Sequence, residues 1–337
     1  MTVIALDVGG THVKGGLVED GRLLTTRRWP TGAELGPDAV VDTVLACAEE
    51  LRADAAGRGL PVASAGLVVP GLVDEEAGVC ALAVNLGWRD LPVRRRMSEL
   101  LGLPVAFGHD VRAGGLAESR LGAGRGCRDL AFVAVGTGIA AALVIGGRPH
   151  AGARGFAGEL GHQVVRPGGD PCGCGNRGCL ETLASAAAVS RRYAEATGAR
   201  GVTAARVRAM AVAGDPAALR IWTEATEALA DALAALTTLL DLERLVIGGG
   251  LAEAGDSLLE PLREGLADRL TFRPAPELVA AELGPYAGCL GAGLLAEDLV
   301  SGAAAGAVYG AVPGFGPGSG ARYVPGPGAG RTESGPR

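Results

Sequence analysis

The sequence lacks any uncharged apolar run that approaches the roughly 18 residues needed to cross a bilayer. Even the long apolar stretch LADALAALTTLLDLERLVIGGG is interrupted by Asp231 and Asp241. The beginning of the chain, MTVIALDVGG, has no basic segment followed by a long apolar one, so we expect no signal peptide. We therefore predict a cytoplasmic protein with no membrane partner.

The chain also has no excess of positive charge. Its 31 Lys and Arg residues are outnumbered by 37 Asp and Glu residues, which gives a net charge of -6 and an isoelectric point near 5.4. This balance argues against nucleic acid as the main partner. The 337 residues, 48% of them hydrophobic, are enough for two domains with buried cores.

Segments typical of strands alternate with amphipathic helical segments, which predicts an α/β fold. A helix is predicted from near Pro37-Asp38 to Gly57, and the sequence Glu-Asp-Gly at residues 19–21 predicts a hairpin bend. No repeat of roughly 20–50 residues is present, so a solenoid is excluded. From Gly302 onward the sequence is rich in Gly and Pro without apolar periodicity, and we expect residues 302–337 to be a disordered tail.

Three predicted strands end in glycine turns, where backbone N–H groups are not shielded by a Cβ atom and can meet a phosphate. None of the turns fits the P-loop pattern or the dinucleotide pattern G-x-G-x-x-G. Asp7 precedes the first turn, where a carboxylate either binds Mg²⁺ or caps the turn. The three turns are Gly9-Gly10-Thr11, Gly136-Thr137-Gly138 and Gly248-Gly249-Gly250.

A cluster of cysteines and one histidine lies in the segment GHQVVRPGGDPCGCGNRGCLE, residues 161–181. Zn²⁺ prefers a closed tetrahedron of Cys sulfur and His nitrogen. A disulfide between Cys172 and Cys174 is disfavoured, because one intervening residue is too few for unstrained disulfide geometry. Free thiols are the alternative. We predict a structural Zn²⁺ site formed by His162, Cys172, Cys174 and Cys179. The other cysteines are predicted to be ordinary buried thiols: Cys47, Cys80, Cys127 and Cys289.

Taken together, these motifs resemble the ROK family of sugar kinases and related repressors, within the actin-like ATPase superfamily. The segments LDVGGTHVKGGLV and VAVGTGIAAALV resemble the two phosphate motifs of the family, and LVIGGGLAEAG resembles its adenosine motif. The segment GFAGELGH, followed by CGCGNRGCLE, resembles the family signature. The resemblance covers about residues 2–300.

The resemblance implies a two-domain actin-like ATPase fold, of the ribonuclease H-like type, with ATP and sugar in the cleft between the domains. The first domain would comprise residues 1–108, completed by 286–301, and the second would comprise residues 109–285 with the zinc loop. A homodimer or tetramer is also implied. The implied ATP-binding residues are Asp7, Gly9, Gly10, Thr11, Lys14, Gly136, Thr137, Gly138, Gly248, Gly249 and Gly250.

The candidate catalytic base is Asp110, at the junction of a predicted strand and helix. A carboxylate at this point accepts a proton from a sugar hydroxyl, or simply caps the helix. The family pattern is Asn-Asp-x-Asn-Ala, in which the Asp is the base, and Asp110 matches it. His109 and Arg112 replace the two Asn residues, which predicts an altered sugar preference. Ala140 and Ala141 replace glycines that often follow the second phosphate turn.

The resemblance also implies a set of sugar contacts. If one nitrogen of His162 binds zinc, the other carries a proton and can donate it to a sugar hydroxyl. Glu159 and Glu181 can accept from hydroxyls, with solvated surface acids as the alternative. Asn85 is either a sugar contact or a turn residue before Gly87. The implied substrate-binding residues are Asn85, Asp110, Glu159, His162 and Glu181.

The leading hypothesis is therefore an ATP-dependent kinase, with Mg²⁺, that phosphorylates a hexose hydroxyl, most simply O6 of glucose. An amino sugar such as kanosamine or N-acetylmannosamine is the alternative substrate. A sugar-responsive regulator is a different class. It is disfavoured because the first phosphate strand begins at residue 2 or 3 and leaves no room for a DNA-binding module. A non-catalytic sugar-binding protein is disfavoured because Asp7, Thr11, Asp110 and Glu159 are all present.

Overall fold

The computed structural model describes residues 1–302, and within this range the chain alternates thirteen strands with nine α-helices. The strands are β1 (Thr2–Val8), β2 (His12–Glu19), β3 (Arg22–Pro30), β4 (Val62–Val69), β5 (Leu72–Asp74), β6 (Val79–Ala83), β7 (Trp88–Leu91), β8 (Val105–His109), β9 (Leu130–Val135), β10 (Ile139–Ile145), β11 (Arg148–His150), β12 (Arg244–Gly248) and β13 (Glu277–Ala280). The helices are α1 (Pro37–Gly57), α2 (Val93–Leu101), α3 (Asp110–Leu121), α4 (Glu181–Ala184), α5 (Ala186–Thr197), α6 (Ala204–Val212), α7 (Pro216–Leu240), α8 (Asp256–Arg269) and α9 (Ala287–Ser301).

Two five-stranded sheets share one topology. The first has the order β3-β2-β1-β4-β8, in which β1 is antiparallel to β2 and parallel to β4. The second has the order β11-β10-β9-β12-β13, in which β9 is antiparallel to β10 and parallel to β12. Strands β5, β6 and β7 form a small third sheet. The two large sheets are therefore copies of the same arrangement.

Local sequence signals explain several of these elements. The predicted hairpin bend joins β2 to β3, where Asp20 and Gly21 both adopt positive φ angles, of 48° and 70°. This conformation matches the twist of a two-residue hairpin. Helix α1 has the predicted limits, with Pro37 in its first turn. Its apolar residues Val40, Val44 and Leu51 are buried against the first sheet.

Small residues allow helix α9 to pack closely on the opposite face of the first sheet. A Cβ atom on Gly66 of β4 would lie 1.9 Å from the carbonyl oxygen of Ala292 in α9. A Cβ atom on Gly291 would lie 2.0 Å from the carbonyl oxygen of Ala113 in α3. Helices α3 and α9 therefore cross in direct backbone contact. Helices α5, α6, α7 and α8 cover the second sheet.

The parallel strands place the predicted site residues at one edge. Strands β1, β4 and β8 are parallel, so their carboxyl ends, which carry Asp7, Val69 and His109, lie at the same edge of the first sheet. Helix α3 begins there at Asp110. Among the described helices, none combines the length and apolarity required to traverse a bilayer. The predicted tail, apart from Gly302, lies outside the described residues.

Candidate active site

Two carboxylates and one ammonium group form the centre of the candidate site. Lys14 on β2 lies opposite Asp7 on β1, and its Nζ atom is 3.7 Å from Asp7 Oδ2. Burial raises the pKa of Asp7 to about 7; the nearby charge of Asp110 adds to the effect, whereas Lys14 opposes it. A Cβ atom on Gly288 would lie 2.7 Å from Asp7 Oδ2, so helix α9 also borders this carboxylate. A second cation bound beside Asp7 would stabilise its ionised form and so offset the effect of burial.

Asp110, the predicted base, is the first residue of α3, and its side chain is 25% exposed. Its Oδ1 atom accepts the N–H of Val111 at 2.7 Å. Burial raises the pKa of Asp110 to about 6, although the hydrogen bond from Val111 and the charges of Arg112 and Lys14 lower it. A pKa near 6 leaves the group ionised at neutral pH and basic enough to accept a proton.

His109, and not the neighbouring Asp110, is the N-cap residue of helix α3. Its Nδ1 atom accepts the N–H of Arg112 at 3.4 Å and lies 3.4 Å from Asp110 Oδ1. Burial, followed by the charge of Arg112, lowers the pKa of His109 to about 3. The imidazole is therefore neutral, and the capping bond assigns its proton to Nε2.

The first glycine turn is held by Thr31, whose hydroxyl donates to the Gly9 carbonyl at 2.6 Å and whose N–H donates to the Thr11 carbonyl at 3.0 Å. The prediction that the glycine turns present free N–H groups is only partly right. The N–H of Gly9 donates to His12, and that of Gly136 donates to Gly138, each at 2.9 Å. These two donors close the turns themselves.

The second and third turns lie side by side. Gly249 has a φ of +81°, and a Cβ atom there would lie 2.5 Å from the carbonyl oxygen of Val135, next to the second turn. In contrast, a Cβ atom on Gly136 or Gly250 would meet no atom of the described chain within 4 Å. Internal packing therefore does not require glycine at these two positions, which leaves room for a bound group. Thr137 and Gly248 complete the two turns.

Asn85 lies over the first glycine turn, in a short 3-10 turn (Val84–Leu86) that precedes β7. A Cβ atom on Gly10 would come within 3.1 Å of Asn85 Nδ2. Trp88 is 2% exposed and donates from Nε1 to the Pro37 carbonyl at 3.0 Å. The exposed amide of Asn85 therefore faces the site, while Trp88 packs behind it.

Glu181 connects the cysteine segment to the second turn. Its Oε2 atom accepts the N–H of Ile139 at 2.9 Å, and a Cβ atom on Gly138 would lie 2.6 Å from the same oxygen. One oxygen of Glu181 thus anchors the start of β10. This anchoring role was not part of the sequence-based prediction.

The loop that carries Glu159 and His162 packs directly on β10. Gly158 has a φ of +96°, and a Cβ atom there would lie 1.9 Å from the carbonyl oxygen of Ala141. The N–H of Ala141 donates to the Gly158 carbonyl at 2.7 Å. Burial raises the pKa of Glu159, His162 and Arg112 lower it, and Glu181 and Asp110 raise it further. The charge of Asp110 therefore acts on the Glu159 carboxyl group.

The four predicted metal ligands come together. Cys172 Sγ lies 3.6 Å from His162 Nδ1, and Cys174 Sγ lies 3.7 Å from Cys179 Sγ. All four ligand atoms lie within 4.8 Å of one another. A tetrahedral Zn²⁺ with Zn–S bonds of about 2.3 Å has S–S edges of about 3.8 Å, so the cluster has the right size.

His162 joins this cluster to the candidate sugar site, because its Nε2 atom lies 3.8 Å from Glu159 Oε2. A pocket of about 380 Å³ opens beside the pair, large enough for a small ligand. The pocket is lined by Ala141, Phe156, Gly158, Glu159, Leu160, His162, Gln163 and Leu236.

Of the four cysteines predicted to be buried, Cys127 is only half-buried.

A buried ion pair that no sequence motif indicates lies beside the base. The Nη2 atom of Arg112 lies 2.9 Å from Glu75 Oε1, and the Arg112 side chain is 3% exposed. Glu75 lies in the loop between β5 and β6, 37 residues away from Arg112 in the sequence. No local pattern signals a contact over that separation.

A sequence profile of the ROK family matches residues 3–299. This chain belongs to the ROK family. One ROK relative, the glucokinase of Streptomyces coelicolor, is 32% identical over 315 residues, which cover 88% of this chain and 97% of that enzyme. The N-acetylmannosamine kinase of Citrobacter koseri is 34% identical over 308 residues, which cover 88% of this chain and 99% of that enzyme.

Solved ROK structures show the same fold. The ROK hexokinase from Thermus thermophilus superposes with a TM-score of 0.80 at 38% identity and covers 90% of this chain and 100% of its own. The ROK glucokinase from Streptomyces griseus, solved with glucose and AMPPNP, gives a TM-score of 0.77 at 32% identity and covers 88% of this chain and 100% of its own. These similarities confirm the predicted α/β fold of the actin-like ATPase type.

Proposed function

We propose that this protein is an ATP-dependent sugar kinase that transfers the γ-phosphoryl group of ATP to a hexose hydroxyl, O6 of glucose in the simplest case. The position of Asp110 carries the proposal. On one side its charge interacts with those of Asp7 and Lys14, beside the first glycine turn. On the other side its charge acts on Glu159, beside His162 and the pocket. A base between a phosphate site and a sugar site is what phosphoryl transfer requires.

In this reaction the Asp110 carboxylate accepts the proton of the attacking sugar hydroxyl. The hydroxyl oxygen forms a bond to the γ-phosphorus, and the bond to the bridging oxygen of ADP breaks. The Lys14 ammonium group neutralises phosphate charge, and the three glycine turns form the nucleotide site. Asn85, Glu159, His162 and Glu181 orient the sugar hydroxyls, the last with the oxygen that does not anchor Ile139.

We assign two metal ions to the functional protein. Asp7 would hold Mg²⁺, which when bound neutralises phosphate charge; its raised pKa and single ammonium partner fit a cation ligand. His162, Cys172, Cys174 and Cys179 would hold a structural Zn²⁺. The His162 Nε2 atom then carries a proton and points toward Glu159. A filled tetrahedron leaves no open position for water, so this ion maintains the loop and does not act in the reaction.

The identity of the sugar is the second part of the proposal. His109 and Arg112 stand where the family pattern has Asn, and both are buried beside Asp110. A relative at 34% identity is an N-acetylmannosamine kinase. These two observations favour an amino sugar as the alternative substrate. The domain boundaries, a homodimer or tetramer and a cytoplasmic location stay predictions that accompany the proposal.

The test is an assay of ADP release with the purified protein, ATP, Mg²⁺ and a panel of hexoses and amino sugars. The control is Asp110→Asn, which keeps the shape of the side chain and removes the base. We expect turnover to fall by about 10²–10⁴-fold while sugar affinity, measured by calorimetry, stays within a few-fold. Turnover close to that of the wild type would refute the assignment of the base. No ADP release with any sugar in the panel would refute kinase activity.

A further inference from the structure

Arg112 forms a buried bridge between three segments that border the base. It is the third residue of α3 and is 2% exposed. Its Nε and Nη2 atoms donate to Glu75 Oε1 at 3.2 and 2.9 Å, and its Nη1 atom donates to the Gly155 carbonyl at 2.9 Å. A buried guanidinium is costly unless it is paired and hydrogen-bonded, and here all three nitrogens have protein partners.

The Glu75 side of the bridge is itself fixed in place. Glu75 Oε1 also accepts the N–H of His109, the residue before the base, at 3.1 Å. Arg94 of α2 donates to the carbonyls of Glu75 and Glu76 at 3.2 and 2.9 Å and so holds the loop between β5 and β6. The carboxylate of Glu75 is therefore a rigid anchor for the guanidinium.

The other end of the bridge reaches the loop that carries the sugar contact. Gly155 lies four residues before Glu159, and backbone hydrogen bonds hold the segment between them. The N–H of Glu159 donates to the Phe156 carbonyl at 3.4 Å, and Gly158 is bonded to β10 through Ala141. The bond from Arg112 to the Gly155 carbonyl joins this loop to helix α3.

We propose that Arg112 is a positioning residue: paired with Glu75, it holds the Gly155 carbonyl and so fixes the Glu159 loop against the helix that carries Asp110. All of its bonding nitrogens are occupied by protein atoms, so Arg112 orients the site without binding phosphate itself. The inference rests on the proposed function, because it assumes that the Glu159 loop binds the sugar.

The test compares Arg112→Lys, Arg112→Met and Glu75→Gln with the wild type. Lysine keeps the charge but has one nitrogen, which cannot serve both Glu75 and Gly155 as a planar fork does. We expect Arg112→Lys to raise the KM for the sugar by about tenfold while the KM for ATP changes by less than about twofold. Arg112→Met should have a larger effect in the same direction, and Glu75→Gln should show the same split.

A matched control is Arg269→Lys. Arg269 of α8 also bonds one carboxylate, that of Asp231 at 2.6 Å, and one backbone carbonyl, that of Gly265 at 3.0 Å. This pair joins α7 to α8; Asp231 also accepts from Arg166 of the cysteine segment at 3.1 Å, and Arg269→Lys leaves that second bond in place. We expect both KM values of Arg269→Lys to stay at the wild-type level.

Hydrogen–deuterium exchange, read by mass spectrometry over residues 151–159, tests the positioning role without a substrate. We expect this segment to exchange faster in Arg112→Lys and Glu75→Gln, and at the wild-type rate in Arg269→Lys. Folded Arg112 and Glu75 variants with wild-type exchange and wild-type sugar KM would overturn the inference. If the wild type phosphorylates no sugar, the proposed function fails, while the exchange rates still decide the role of Arg112. If Arg112→Met does not fold, Arg112→Lys and Glu75→Gln still test the inference.

Discussion

The pH dependence of the reaction is a direct consequence of the raised pKa of Asp110. A free aspartate has a pKa of 3.8, and burial raises that of Asp110 to about 6. Only the ionised carboxylate accepts a proton, so activity is lost as the pH falls through the raised pKa. The ionised fraction is about nine-tenths at pH 7 and about one-tenth at pH 5. We therefore expect kcat/KM for the sugar to fall by about tenfold between these two pH values.

An aspartate with an ordinary pKa would stay more than about 90% ionised at pH 5. With such a base, kcat/KM would hardly change between pH 7 and pH 5, whereas the raised pKa predicts a fall of about tenfold. The assay measures kcat/KM for the sugar at saturating ATP and Mg²⁺, which separates Asp110 from Asp7. Asp7 has a pKa of about 7, but bound Mg²⁺ competes with its proton, so its contribution shifts with magnesium concentration. At saturating Mg²⁺ the remaining loss of activity between pH 7 and pH 5 therefore reports on Asp110. Circular dichroism at pH 5 checks that the protein is folded. A profile that stays flat down to pH 5 would refute the assignment.

Two further predictions concern the loops around the site. Cys174→Ser removes one metal ligand, so mass spectrometry should find about one zinc per chain in the wild type and less than about half of that in the variant. Cys127→Ser, at a half-buried cysteine outside the cluster, should retain the metal; equal zinc contents would contradict the site. Gly158→Ala should cost about 3 kcal/mol of unfolding free energy, since its Cβ atom would meet Ala141 and its φ is +96°. Gly168→Ala, with a φ of +77° and nothing within 4 Å, should cost only about 1 kcal/mol in urea unfolding; equal costs would show that the contact with Ala141 is unimportant.

Local sequence patterns predicted the elements whose geometry is decided within a few residues. Helix α1 begins at Pro37 and ends at Gly57 as expected, because apolar spacing, an initial proline and a terminal glycine all act locally. The clustering of His162 with three cysteines was equally predictable, since cysteines within eight residues can surround one point without help from the rest of the fold.

The parts that sequence reasoning missed depend on contacts between distant segments. Glu75 and Arg112 meet only because the loop between β5 and β6 folds over the start of α3. The bond between Glu181 and Ile139 depends in the same way on how the cysteine segment returns to β10. These two contacts are set by tertiary packing. The glycine turns are a different case: two of the N–H groups expected to be free close their own turns, through bonds to residues two and three positions away.

Three residues beside the base, Glu75, His109 and Arg112, are joined by hydrogen bonds. Arg112 alone replaced by the Asn of the family pattern would leave the Glu75 carboxylate buried without its cation, and removal of one partner of such a pair costs about 3–5 kcal/mol. Glu75 also accepts the N–H of His109, whose imidazole stays neutral because it is buried beside Arg112. Introducing the Asn-Asp-x-Asn pattern at positions 109 and 112 therefore requires a compensating change at position 75. If residues 109 and 112 set the sugar preference, as we predict, we expect the effect of changing them to depend on Glu75, which lies outside every motif of the sequence.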